Sequence, residues 1–179
     1  QNYLIPSTDI DFIEKTKHTL FRLGKIREDI RKSEPFLRDS HFTCIDNSAI
    51  RQCDAPGNKF SSPNGITGEE ACQLSKYSGL SEKTIAFQLC EYNPVFDFNE
   101  QTAHLNAQIL WHFIDGFYNR KNDYPYESID NLQKYIINSD ELETNFVFYK
   151  SPKTDRWWIE IPESNTINIV PCNQEDYLY

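Results

Sequence analysis

The sequence predicts an α/β fold built around a mostly parallel sheet. Helix-like and strand-like segments alternate through the first two-thirds of the chain, the signature of right-handed βαβ units. A T-x-x-E capping box at Thr67–Glu70 opens a helix between two short apolar strands. Both strands, His41–Asp46 and Lys83–Cys90, run into a carboxylate: Asp46 ends the first and Glu91 follows the second. In parallel sheets ligands bind outside the carboxyl ends of the strands, so these carboxylates are candidate site residues on pattern alone. Their plainer reading is that strand-ending carboxylates cap loops and helices.

In chain order, Ser7-Thr8-Asp9 caps a first helix reaching about Lys17, with Ile10, Ile13 and Phe12 on its inner face. Leu20–Leu23 reads as a short strand. Ile26 to about Lys32 is helical and charged, and Glu34-Pro35 should end it, because the residue before proline avoids the α region. After the strand His41–Asp46, residues Ser48 to Pro63 are rich in Ser, Asn, Pro and Gly without apolar periodicity; loops of that length are functional or disordered as a rule. The helix capped by Thr67 continues through Ala71, Cys72, Leu74 and Tyr77 and stops near Gly79. Lys83–Cys90 is a near-continuous apolar run of strand length. Gln101–Tyr118 is the strongest helix: Ala103, Ala107, Leu110, Ile114 and Phe117 form a stripe, widened by Trp111 and Phe113, that should face the core. Beyond it a helix is expected over Ile129–Ile137, then two aromatic strands, Asn145–Tyr149 and Arg156–Ile161, paired as an antiparallel hairpin at the sheet's margin.

The 179 residues are 39% hydrophobic and 25% charged, ordinary for one globular domain. Lys and Arg number 18 against 27 Asp and Glu, a formal charge of -9. That balance argues against nonspecific nucleic-acid binding, which needs clustered cations. Arg22, Lys25, Arg27, Arg31, Lys32 and Arg38 do concentrate near the start, but Glu28, Asp29, Glu34 and Asp39 interleave with them, the pattern of a solvated helix face. No apolar run is long enough for a membrane span and no basic segment precedes one as in a signal peptide, so the chain reads as cytoplasmic. Met is absent throughout, the first residue included, which suggests processing or a fragment. The 5 cysteines are odd in number and form no CxxC pair, so neither a disulfide framework nor a structural zinc site is expected. Cys44 and Cys90, inside apolar runs, read as small buried side chains.

Two segments carry a resemblance. One is Asp46-Asn47-Ser48-Ala49-Ile50-Arg51-Gln52-Cys53-Asp54-Ala55-Pro56; the other is Cys90-Glu91-Tyr92-Asn93-Pro94, followed by Asp97 and Thr102–Leu105. They resemble the S-F-D-x-D-x-x-D-P and E-x-N-P motifs of the ureohydrolase family (arginase, agmatinase, formimidoylglutamase). Gly65-Ile66-Thr67-Gly68-Glu69-Glu70 falls between them where the family has G-[GL]-[LI]-T-x-x-E. The tail, with Phe148–Ser151, Asp155–Trp158 and Val170–Cys172 to Tyr177, is similar to the formimidoylglutamase-like branch of Bacteroidetes-type bacteria.

The resemblance implies an arginase-like three-layer α/β/α fold with a mostly parallel sheet, of which this chain holds only the carboxyl-terminal portion. Residues 1–120 would be that portion and 121–179 an extension with a helix, the hairpin and an aromatic tail. It implies hydrolysis of C–N bonds in linear amidines by hydroxide bridging two Mn²⁺ ions, an amidine or amino-acid-like small-molecule substrate, a place in histidine catabolism, no nucleic-acid or membrane partner, and homo-oligomers. Asp46 matches a metal ligand. The second ligand position holds Ser48, a weaker donor, and the D-P aspartate is replaced by Arg51. Glu91 matches the glutamate that pairs with the substrate's cation, and Asn93 and Arg51 join it as substrate-binding candidates. Glu70 is explained by capping, and His104 reads as a packed or surface histidine. No counterpart of the family's G-G-x-H or D-x-H-x-D motifs occurs between Gln1 and Ser40, so this chain alone is not expected to assemble a two-metal site. The alternative is a non-catalytic arginase-fold module in which Arg51 and Arg156 recognise an anion. Trp157, Trp158, Tyr177 and Tyr179 either cover the sheet within one subunit or form an interface. An isolated chain with an open parallel sheet is expected to self-associate.

Overall fold

The computed structural model describes residues 7–16, 18–125, 128–139, 144–163 and 166–178. Two sheets organise it. One is a parallel pair, β1 (Phe42–Asp46) beside β2 (Ala86–Cys90); the other is an antiparallel meander in the order β3 (Gln133–Ser139), β4 (Thr144–Lys150), β5 (Trp157–Glu163), β6 (Thr166–Cys172). Helices α1 (Ser7–Lys15), α2 (Leu23–Glu28) and α3 (Glu34–Arg38) precede β1, α4 (Gly68–Leu80) connects β1 to β2, α5 (Gln101–Tyr118) follows β2, and α6 (Gln174–Leu178) comes last. The α/β class with a parallel sheet is as expected. Lys17 and Tyr179, named in the sequence reading, lie outside the described residues.

The capping box forms as the sequence suggests. The Glu70 amide donates to Thr67 Oγ1 at 3.0 Å, and the Thr67 amide donates to Glu70 Oε2 at 2.7 Å; a cap of this kind contributes about 1 kcal/mol. So fixed, α4 lays Ala71 and Cys72 on Ile45 of β1, in a core with Ile50, Ala55 and Ile109. The sheet is covered on this face only: Phe42 and Cys44 of β1 and Ala86 and Gln88 of β2 are exposed on the other.

Helix α5 is turned differently from expectation. Its buried positions are Thr102, Ile109 and Gly116, while Ala107, Leu110, Trp111, Ile114 and Phe117 of the apolar stripe are exposed. Small groups carry the α4–α5 contact. Ser75 Oγ donates to the Ile109 carbonyl at 2.7 Å. A Cβ on Gly79 would sit 2.2 Å from the Phe113 carbonyl oxygen, and one on Gly116 would sit 2.5 Å from that of Lys76. The hydrophobic pattern weights large side chains, whereas this contact is made by backbone against backbone. Of the widening residues, Phe113 does reach the sheet, stacking on Phe87 at 4.6 Å.

Four further expectations are corrected. Leu20–Leu23 is not a strand: Leu20 and Phe21 are exposed coil and Leu23 opens α2. Glu34-Pro35 begins a helix rather than ending one, because proline in a first turn sacrifices no helical hydrogen bond. Ile129–Ile137 is a turn followed by β3, where Tyr135, Ile136 and Ile137 pair with Phe148, Val147 and Phe146; a short apolar run does not fix its own period. The hairpin exists, with Tyr149 opposite Trp158, but inside its own four-stranded sheet and not at the margin of the parallel pair.

Arg38 departs from the solvated-face reading. The other five basic residues near the start are exposed, but Arg38 is 1% exposed. Its Nη2 donates to the carbonyls of Trp157 at 3.0 Å and Cys172 at 3.2 Å, its guanidinium lies 4.6 Å from the Trp158 ring centroid, and Glu34 is its ion-pair partner. One side chain thus ties α3 to β5 and β6. Within the meander, Phe148, Trp157 and Cys172 form a core that Tyr177 closes, stacked 4.8 Å from Trp157. Trp157 and Tyr177 therefore pack against each other over the sheet within one subunit.

Candidate functional site

Asp46 stands opposite Cys90 in the parallel register. Asp46 and Glu91 therefore leave the carboxyl ends of neighbouring strands, whose axes lie ~4.8 Å apart. Asp46 also caps: its Oδ1 accepts from the Ser48 amide at 2.7 Å and turns the chain into a 3₁₀ turn over Asn47–Ala49. Oδ2 has no hydrogen bond among the described residues.

Glu91 is exposed and takes a left-handed backbone, φ 56°. A non-glycine residue there stores strain of order 1–3 kcal/mol and persists only when its surroundings impose it. The flanking contacts supply that constraint. Buried Asn47 donates its side-chain amide to the Cys90 carbonyl at 2.8 Å, and the Asn93 amide donates to the Gly57 carbonyl at 2.8 Å. Asn93 Oδ1 accepts from Val95, fixing the turn beyond. The Glu91 carboxylate itself has no hydrogen bond or ion pair among the described residues, so it is available to a cationic ligand.

The loop after Asp46 is ordered by its own pairing. The Arg51 amide donates to Ile66 at 3.0 Å and the Gln52 amide to Ser62 at 2.7 Å. Arg51 Nε lies 2.8 Å from Asp54 Oδ2, which also accepts from the Gly68 amide at the start of α4. Burial pushes the Asp54 carboxyl up, but Arg51 and that amide outweigh it and hold the group below its ordinary value. Arg51 is thus ion-paired within the loop. Ser48 is half-buried and serves Asp46 through its amide; His104 is exposed on α5.

Sequence reasoning gave no role to Asn47, Gly57, Asp97 or Thr102, which brace the site. Asp97 accepts from the amides of Thr102 at 2.8 Å and Ala103 at 2.9 Å, capping α5, and Thr102 Oγ1 accepts from the Gly57 amide at 2.7 Å. A Cβ on Gly57 would lie 2.8 Å from Asp97 Cβ, so this approach requires glycine. Burial raises Asp97, yet the two amides prevail and hold its carboxyl below the usual range. The available signal was that Asn47, Asp97 and Thr102 are polar residues within the matched segments.

Cys44 corrects another expectation: it is exposed, with its sulfur 3.4 Å from that of Cys90. The Cys44 neighbour, then burial, push the Cys90 thiol up to about 11.

No group of three or more His, Cys, Asp or Glu placed to hold a metal occurs among the described residues. Mn²⁺ takes about six hard donors. Asp46 with Ser48 does not meet that need, so these residues do not fit a two-metal centre by themselves.

The arginase family model matches residues 4–115, more than half of the chain. The chain belongs to the arginase family. This arginase-family chain is 27% identical over 113 residues to the formimidoylglutamase of Bacillus subtilis (strain 168), covering 59% of the chain and 35% of that protein. The structure of the B. subtilis formimidoylglutamase is similar with a TM-score of 0.59 at 22% identity, over 64% of this chain and 38% of that one. Trypanosoma cruzi formiminoglutamase, crystallised with Mn²⁺, gives 0.58 at 18% identity, over 65% and 42%. Arginase from Bacillus caldovelox gives 0.54 at 16%, over 65% and 40%. These structural likenesses establish the arginase-like fold, and the chain spans well under half the length of each relative. The antiparallel meander lies beyond the residues that the family model matches. No helix among the described residues is long and apolar enough to cross a membrane.

Proposed function

We propose that the chain is the carboxyl-terminal part of an arginase-fold hydrolase acting on C–N bonds of linear amidines, of the formimidoylglutamase type. Residues 1–120 belong to the arginase-like α/β domain and 121–179 form an extension built on the meander. The observation that carries this reading is the register of Asp46 against Cys90, which places Asp46 and Glu91 at the carboxyl ends of neighbouring parallel strands. Glu91, without a hydrogen bond or ion pair among the described residues and held in a left-handed backbone, pairs with the amidinium of the substrate and orients it. Asn93 shapes the turn beyond it, and Arg51, on the loop after Asp46 and ion-paired with Asp54, is the cation proposed for a substrate carboxylate. Asp46 matches a metal ligand of the family, and Mn²⁺ held with donors from elsewhere would supply an activated hydroxide; among the described residues no group of three or more His, Cys, Asp or Glu completes a site. The partner is a small amidine or amino-acid-like molecule, not nucleic acid or membrane, and the assembly is a homo-oligomer.

A second reading rests on a specific observation. Ser48 stands where the family motif has a carboxylate ligand, and Arg51 replaces another aspartate and pairs with Asp54. That favours a metal-free binding or assembly module. The polypeptide as its gene encodes it distinguishes the two. With Mn²⁺ and N-formimidoyl-L-glutamate, the hydrolase reading expects formamide release, a higher unfolding temperature with micromolar Mn²⁺, and a fall of at least about tenfold in kcat/KM for Glu91→Gln. A folded protein with neither turnover nor a response to Mn²⁺, but stabilised by anionic metabolites, establishes the binding module instead.

A further inference from the structure

We infer that Cys44 and Cys90 are a reversible thiol–disulfide pair, a redox-modifiable site on the two strands that present Asp46 and Glu91. Cys72 and Cys172 are buried and Cys53 is exposed without a sulfur neighbour; Cys44 and Cys90 alone meet, at 3.4 Å. Strand alternation puts Cys44 on the uncovered face of β1 with Phe42, and Cys90 on that of β2 with Ala86 and Gln88. Cys44 pairs with Gln88 and Cys90 with Asp46, so the thiols meet along a diagonal of the sheet.

A disulfide bond is about 2.05 Å long, so closure requires the sulfurs to approach by roughly 1.4 Å. Rotation about the two Cα–Cβ bonds and a small slide of β1 along β2 supply it. That movement works against the five-pair β1–β2 ladder, so the bond forms only where the strands yield locally at their carboxyl ends.

The oxidant is a low-molecular-weight disulfide, for which oxidised glutathione is the probe. Cys44, the more exposed thiol, loses its proton and attacks one sulfur; that S–S bond breaks and one glutathione leaves as a thiol. Cys90 then loses its proton and displaces the second glutathione, leaving the Cys44–Cys90 bond. Two protein thiols are oxidised and one glutathione disulfide is reduced to two thiols. The new bond clasps the strands one residue before Glu91 and two before Asp46, setting the spacing of those strand ends. The inference does not depend on amidine hydrolysis.

The test treats the 179-residue chain with oxidised glutathione, blocks free thiols and maps the peptides by mass. The Cys44 and Cys90 peptides should appear joined, two hydrogens lighter than their sum, and separate again with dithiothreitol. Exposed Cys53 should stop at the mixed disulfide and serves as the internal reference. Cys44→Ser and Cys90→Ser should each abolish the joined peptides and leave glutathione on the remaining thiol. Amide exchange across Ala86–Cys90 should slow at least tenfold in the oxidised wild-type chain, a readout independent of either variant's folding. The inference is overturned if Cys44 keeps glutathione in the wild type, if both thiols stay free while Cys53 reacts, or if the link joins two chains.

Discussion

In the meander the large aromatic side chains are inside: Phe148, Tyr149, Trp157 and Trp158 are all buried. Around the parallel pair the arrangement is reversed. There Thr43, Asn47, Ser75, Ser78 and Thr102 are buried, while Phe42, Ile85, Trp111 and Phe117 are exposed. An antiparallel sheet can bury one face and leave the other to water, but parallel strands belong between two layers. The meander therefore completes its own core, whereas the parallel pair displays apolar surface suited to further layers of an arginase fold. Arg38 joins the two regions, and breaking it or its neighbours tests how far each stands alone.

The largest effect is expected at Trp158, fully buried against Arg38. Trp158→Ala should cost about 3–5 kcal/mol, read as a lower urea midpoint, with both regions unfolding in one transition because Arg38 links them. A meander that melts alone would show the link to be weak. Asp97→Asn, which replaces charged caps of α5 by neutral ones, should cost about 1 kcal/mol and change the acid limb of stability. Because the folded carboxyl lies below its unfolded value of about 3.9, its contribution is present above that pH and lost as pH falls through the folded value. Stability measured from pH 6 to pH 2 should therefore fall less steeply in the variant; an unchanged slope would remove Asp97 from the account. The smallest effect on stability is expected for Trp111→Glu, within about 0.5 kcal/mol. Its consequence is for association: the isolated chain should self-associate through the exposed face of α5, and sedimentation should show less of it in the variant. A wild-type chain that sediments as a monomer would contradict the open-surface argument.

Elements with their own local chemistry were legible in the sequence. The Thr67–Glu70 box, the carboxylate-ending strands and the length of α5 follow from caps and apolar runs, and Asp46 and Glu91 sit at strand ends as the spacing suggested. Orientation was less legible. The outward stripe of α5 and the burial of Arg38 depend on partners distant in sequence, Gly79 in one case and the carbonyls of Trp157 and Cys172 in the other. Strand β6 was overlooked because Thr166–Cys172 contains Pro171, which an edge strand tolerates. The bracing of Glu91 by Asn47 and Asn93 is likewise a tertiary fact, since hydrogen bonds between chain segments leave no periodic trace.

The glycine contact of α4 with α5 makes α5 a lever. Its fulcrum is Gly116, where no side-chain atom can be added without meeting the Lys76 carbonyl. Fourteen residues away, about 21 Å along the axis, Thr102 holds Gly57, whose carbonyl receives the Asn93 amide just beyond Glu91. A methyl group at Gly116 would therefore be felt as a swing at the far end, tilting the loop that aims Glu91. The tolerance of that carboxylate's position is set at the opposite end of the longest helix.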